Sequence, residues 1–273
     1  MWHEAEGGRG ANQIASCLFR HFLDEIPGFV THVTLFSDSC SGQNRNSHVS
    51  AMLFTVLQLH SSVKTIDHVF LETGHTRLEC DAVHSKITRA KTSVEIISVP
   101  DEWFDLVSKQ YKVSNEYPEG DIKVVRMTQD YFYDFAALLK GLLVLRKETV
   151  LGEPFNWFQT QVFSYRQKEN GLFYTKSKIS SPGYSCLSFN RRGKRSKDSL
   201  DLKKYVTNCY SGPLPMALLK KADLLKFLPL LAAQYRDFYR NLKVSEAVAA
   251  DVGPDIPFDE AASQRELQGF AEN

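Results

Sequence analysis

Three acids, Asp38, Glu79 and Asp81, stand where strand tips and helix starts are expected. Carboxylates from adjacent elements can share two divalent cations roughly 4 Å apart, the arrangement used for phosphoryl transfer. Asp38 closes the β-rich run Val33-Thr34-Leu35-Phe36 in the stretch LFSDSCSGQNRN. A strand tip holds such a carboxylate rigidly and leaves it open to solvent. Its plainer role is an Asx-type turn. Glu79 is the last residue of a T-x-x-E capping box that begins at Thr76. Asp81 has no expected capping duty and shares a helical stripe with Arg77, His84 and Thr88. An aspartate there lowers helix propensity, which favours a chemical role for Asp81 over Glu79. Asp38 and Asp81 are therefore the candidate metal ligands and catalytic acids, with Glu79 behind them. Mg²⁺ or Mn²⁺ is the implied cofactor, and His75 and His84 are candidate assisting groups.

Two other constellations fit less well. His75, Cys80, His84 and Cys40 could suggest zinc, but structural zinc uses more tightly paired ligands. Gly42-Gln43-Asn44 could contact a phosphate at a helix start or simply cap that helix.

A second chemistry is written between Arg166 and Lys204. Eleven bases fall there against three acids. Bases alternate with aromatics at Phe163, Tyr165, Arg166, Phe173, Tyr174 and Lys176, a mixture suited to backbone contact plus base stacking. The alternative is a solvated sheet face with a packed reverse side. Arg166, Lys168, Lys176, Lys178, Arg191, Arg192, Lys194 and Arg195 are the candidate nucleic-acid contacts. The run from Arg191 to Lys197 also fits a nuclear localisation signal.

These residues are positioned by elements legible from periodicity. Ile14, Leu18, Phe22 and Ile26 predict a helix over 11–26, stopped by Pro27-Gly28. A strand is predicted over 30–37, a helix over 43–60, a strand over 66–71, a helix over 76–91 and a strand over 94–99. Strands separated by helices argue for parallel pairing, with chemistry at their carboxyl ends. Further on come a helix over 101–110, a strand over 122–127 and a helix over 130–146. A hairpin follows, with strands over 162–165 and 172–175 around Glu169-Asn170-Gly171. A helix over 214–242 is interrupted at Pro229. Soft boundaries near Pro100 and Val244 divide the chain into 1–100, 101–244 and an acidic tail, 245–273, that buries little.

The chain has 273 residues, 43% of them hydrophobic, and a net charge of +1. That length supports a sizeable core. The five scattered cysteines form no C-x-x-C pair and suit a reducing, nuclear or cytoplasmic setting. No apolar run is long enough to span a membrane, and the charged, glycine-rich start predicts no signal peptide.

The phrases WHEAEGGRGANQIASCL, LFSDSCSGQNRN and HVFLETGHTRLECDAVHSKI resemble an uncharacterised family of transposon-derived animal domains. Those proteins are similar to transposases with an RNase H-like core. The resemblance spans roughly residues 2–242 and is most specific in the first ninety or so. It implies an α/β fold with a three-layer RNase H-like core, followed by an α+β region with a β-hairpin and helices. It also implies ancestral metal-dependent DNA cleavage and strand transfer. The first three strands of such a core, and the acid on the first of them, have no counterpart here. The expectation is an incomplete, inactive domain whose 30–37 strand has an open edge prone to self-association. The alternative is a domesticated, non-catalytic module that binds nucleic acid or protein.

Overall fold

The computed structural model describes residues 1–40, 42–72, 78–110, 122–141, 147–167, 171–189 and 206–245, with backbone only for 139–141. It divides into two compact units. Of the described residues, one comprises 1–8, 78–130 and 210–245; the other comprises 9–72 and 131–209. The sequence boundary near Pro100 falls inside the first of these.

The second unit is an α/β fold built on a five-stranded mixed sheet. Its strands are β1 (His32–Ser37), β2 (Thr65–Phe70), β3 (Val162–Arg166), β4 (Leu172–Lys176) and β5 (Ser185–Ser188), in that spatial order. β1 and β2 are parallel, as the intervening helix predicts. β3 then pairs antiparallel with β2, and β4 and β5 continue as an antiparallel meander. The hairpin expected in a separate C-terminal region therefore lies in the same sheet as the strand that follows Asp38. Gly171 closes the hairpin at φ 69, a conformation that glycine adopts without a Cβ penalty.

The register puts Ile66, His68 and Phe70 on one face with Phe163, Tyr165, Phe173 and Leu187. This face carries the core. Against it lies α2 (Ser47–Leu59), flanked by α1 (Ala11–Asp24) and α5 (Phe135–Gly141). α1 turns Ala15, Phe19 and Phe22 inward; of the stripe its spacing predicts, Phe22 is buried while Ile14, Leu18 and Ile26 are half-buried. The sequence of α2 suggests a single apolar stripe, yet every residue from Val49 to Leu57 is buried. A helix enclosed by two helices and a sheet has no solvent face. Its buried hydroxyls are paired: Thr55 donates to the Ala51 carbonyl, and Tyr165 donates to Ser50 at 2.8 Å. Phe54 meets Tyr165, Phe173 and Phe189 edge-on, binding helix to sheet.

α2 starts four residues later than its sequence predicts. Asn46 is the N-cap, and its side chain accepts the Val49 N–H at 3.0 Å. Asn46→Ala is expected to cost roughly 1 kcal/mol, the usual value of such a cap. Urea unfolding followed by circular dichroism reads this; an unchanged midpoint would rule out the capping role.

The first unit contains α3 (Glu79–Thr92), α4 (Pro100–Ser108), α6 (Leu218–Lys226) and α7 (Arg236–Arg240). α4 follows its sequence signal. The helix predicted over 214–242 is α6, 3₁₀ turns at Leu228–Leu230 and Ala233–Tyr235, and α7; residues 214–217 are not helical, and the break falls around Pro229 as expected. Two predicted strands are absent. Residues 94–99 and 122–127 form no strand, and Ile96 is 68% exposed. β-branched residues match the strand pattern, but a strand needs a neighbour to pair with. α3 buries none of its side chains completely. The predicted helix over 130–146 is a 3₁₀ turn, Gln129–Tyr131, followed by α5; residues 142–146 lie outside the described set. Among the described residues no helix is long and apolar enough to cross a membrane. All five cysteines are free thiols.

Candidate nucleic-acid interface

The strand alternation splits the basic–aromatic segment in two. Phe163, Tyr165 and Phe173 point into the core and are buried. They are structural rings and cannot stack on a base, which corrects part of the sequence reading. Arg166, Tyr174 and Lys176 occupy the opposite face. There the Arg166 guanidinium sits 4.1 Å above the Tyr174 ring centroid, and Lys176 Nζ sits 4.6 Å above that of Tyr184. Arg166 also approaches Tyr184, at 5.7 Å. Tyr184 is 43% exposed and meets Tyr174 edge-on. Two cations are thus held on two tyrosine rings on the sheet face opposite the core. Cation–π contact keeps a guanidinium flat on a ring and leaves its N–H groups free to donate. Arg166, Tyr174 and Lys176 are half-buried, and Val69, Val162 and Ser164 on the same face are buried, so the accessible part of this face is the β4–β5 side near Tyr184.

Lys178 follows on an exposed turn closed by the Ser181 hydroxyl. Lys168, Arg191, Arg192, Lys194 and Arg195 lie outside the described residues, as does His75. Sequence reasoning did not find Tyr184. It precedes β5, a four-residue strand too short to show a period, and only the pairing of β4 with β5 brings it beside Lys176.

The strand-tip acids are placed as follows. Asp38 sits at the carboxyl end of β1 and is exposed. Its Oδ1 accepts the Cys40 N–H at 3.1 Å and the Asn44 Nδ2 at 2.7 Å, the Asx-type turn that was its alternative role. The backbone N–H groups of Gln43, Asn44 and Arg45 all point to the Cys40 carbonyl. Gly42-Gln43-Asn44 therefore belongs to a tight turn that precedes the helix. In the first unit, Glu79 opens α3 and is exposed, while Asp81 is the capping residue: its Oδ2 accepts the Leu78 N–H at 2.9 Å. This reverses the expected roles of the two acids. α3 begins at Glu79, so its N3 position is Asp81. His84 and Cys80 are exposed on the same helix. Among the described residues no three His, Cys, Asp or Glu side chains gather to hold a metal ion. Asp38 Oδ1 and Asp81 Oδ2 each already accept a backbone N–H.

Beneath the Asp38 turn lies a polar group that the sequence did not single out. His68 is buried, and its Nε2 is 2.8 Å from Ser37 Oγ. Ser37 Oγ is also 3.0 Å from the Asp38 carbonyl. The Ser37 hydroxyl can donate to the Asp38 carbonyl or to Nε2, and a neutral imidazole suits either arrangement. Burial, with the charge of Arg45 nearby, brings the His68 pKa down to about 3. Arg45 is itself buried, lies 4.4 Å above the Phe70 ring centroid and donates to the Phe158 carbonyl. The group ties the ends of β1 and β2 to the Phe158 loop.

Scans of protein-family models, curated proteins and solved structures each find no match to this chain.

Proposed function

We propose that this protein is a non-catalytic nucleic-acid-binding module, descended from a transposase-type, RNase H-like domain, that uses the outer face of its sheet. The observation that carries this reading is the Arg166–Tyr174 and Lys176–Tyr184 pairing on the face opposite the core. Rings supply a sequence-tolerant stacking surface and the cations reach phosphates. The basic excess of residues 166–204 extends the same electrostatic footprint. The parallel β1–β2 pair with Asp38 at its tip supports the ancestry; the antiparallel position of β3 beside β2 is its departure from that pattern. A nuclear or cytoplasmic location fits the reading.

Fluorescence anisotropy with a labelled single-stranded DNA tests it. Binding is expected to weaken steeply with salt, with a log–log slope of about −0.7 for each phosphate neutralised. Tyr184→Ala is expected to cost about 1–3 kcal/mol, the range for one stacked base. Arg166→Gln with Lys176→Gln should flatten the slope by about 1.4, the sum for two phosphates. No binding at low salt, or a slope unchanged in the double variant, overturns the assignment of this face. The ancestral activity has its own test: with Mg²⁺ or Mn²⁺ and DNA, the chain is expected to cleave no faster than its Asp38→Ala variant.

A further inference from the structure

The first unit contains a cavity of about 570 Å³, within the size range of small-ligand sites. Four aromatic residues line it: Trp2, Phe104, Tyr235 and Phe238. Four acids also line it, Glu6, Asp101, Glu102 and Asp105, against Arg126, the Met1 ammonium and His3. This composition is the opposite of the basic sheet face. It repels phosphate and attracts positive charge.

Cation recognition is already at work inside the cavity. The Arg126 guanidinium lies 4.6 Å above the Phe104 ring centroid and pairs with Asp101 at 2.7 Å. That pair leaves three carboxylates. Glu6 accepts the Gln129 N–H at 3.0 Å, and its other oxygen is 3.7 Å from His3. The Ser98 N–H, followed by the Tyr235 hydroxyl, holds Glu102 below the usual carboxylate range, so its charge persists. Asp105 is exposed, and its carboxylate has no hydrogen-bond or ion-pair partner among the described residues. On the opposing element, His3 meets Phe238 edge-on at 5.4 Å and fixes that ring in the wall.

Aromatic faces beside unneutralised carboxylates select a particular cation. A small inorganic ion gains little from rings and needs several converging oxygens. A methylated or quaternary ammonium group is large, weakly hydrated and bound through the π faces, with carboxylates supplying long-range attraction. We propose that this cavity binds a methylated ammonium group, with Tyr235, Phe238 and Trp2 as the ring walls and Asp105 as the principal counter-charge. The group could be carried by a free small molecule or by a methylated lysine side chain, which share this chemistry. The site is independent of the nucleic-acid face, so the failure of one leaves the other standing.

Isothermal titration of the full chain with choline, and with its uncharged isostere 3,3-dimethylbutan-1-ol, is the test. Choline should bind saturably and about threefold more tightly than the alcohol, the size of a cation–π contribution at a solvent-exposed site. Asp105→Asn and Phe238→Leu should each weaken choline by about fivefold or more. Asp223→Asn, on α6 and outside the cavity lining, should leave choline binding unchanged. Circular dichroism checks each fold, and Asp105→Asn, being isosteric and exposed, remains informative if Phe238→Leu unfolds. A trimethyllysine peptide that binds more tightly than choline assigns the group to a protein side chain; equal or weaker binding assigns it to a small molecule. Equal affinity for the alcohol, no saturation by choline, or full binding by the Asp105→Asn protein overturns the site.

Discussion

Phe173→Ala is expected to destabilise the sheet unit by about 3–5 kcal/mol, the range for removing a buried phenylalanine ring. Phe173 is 2% exposed at the centre of an aromatic cluster. It stacks on Phe189 at 4.3 Å and on Tyr165 and Phe163 at 6.0 Å, and it meets Phe54 of α2 edge-on. The lost ring leaves a void bounded by rigid rings, and rings collapse into a void poorly, which favours the upper part of the range. A domain stability of 5–15 kcal/mol makes this a large fraction of the total. Urea unfolding followed by near-ultraviolet circular dichroism measures it. Phe36→Ala provides the contrast: Phe36 lies on the outer face of β1, 56% exposed, and its loss is expected to stay within about 0.5 kcal/mol. Equal effects of the two variants would mean that the packed face has been assigned wrongly.

Acid should unfold the same unit through His68. In the unfolded chain an imidazole takes up a proton as pH falls through about 6.5. In the folded protein burial, reinforced by Arg45, delays that uptake to about pH 3. Between these values the unfolded state binds more protons, so stability falls as the pH is lowered. The contribution is complete above pH 6.5, diminishes as pH falls through the window, and changes no further below pH 3. At pH 4.5 the two-unit gap corresponds to about 3 kcal/mol, an upper size for one group. His68→Gln retains a donor toward Ser37 without the titration. Its stability between pH 7 and pH 4.5 should vary less than that of the parent by about that amount. The same steep acid loss in both proteins would assign the sensitivity to other groups.

The elements that hold together locally were legible in the sequence. α1 is written in the four-residue spacing of Ile14, Leu18 and Phe22, β1 and β2 in short apolar runs bounded by turns, and the hairpin in two alternating runs that meet at Gly171. Parallel pairing of β1 with β2 followed because α2 must cross between them. The position of Asp38 at a strand tip followed from the end of the run before it. The helix, the strand ends and the hairpin each depend on residues within about a dozen positions of one another, and the β1–β2 pairing on partners 33 positions apart joined by a single helix.

What depended on distant partners was decided only by the tertiary structure. β3 lies nearly a hundred residues beyond β2 in sequence, yet it completes the β2 edge, with Phe163 and Tyr165 beside His68 and Ile66. No periodicity encodes such a choice of neighbour; burial of the shared face does. The same pairing separates Phe173 from Tyr174, sending one ring to the core and the other to the cations, though both read alike in the chain. The predicted strands over 94–99 and 122–127 had the composition of strands but formed no ladder; the second bonds to the Met1 backbone through Val125 and Met127 without extending into a strand. Asp81 rather than Glu79 caps α3 because the helix starts at Glu79, a boundary set by backbone geometry that the T-x-x-E pattern misplaces. His68 and Arg45, polar in the sequence, became buried because strand pairing and the Phe158 loop closed over them, a non-local event that no local pattern records.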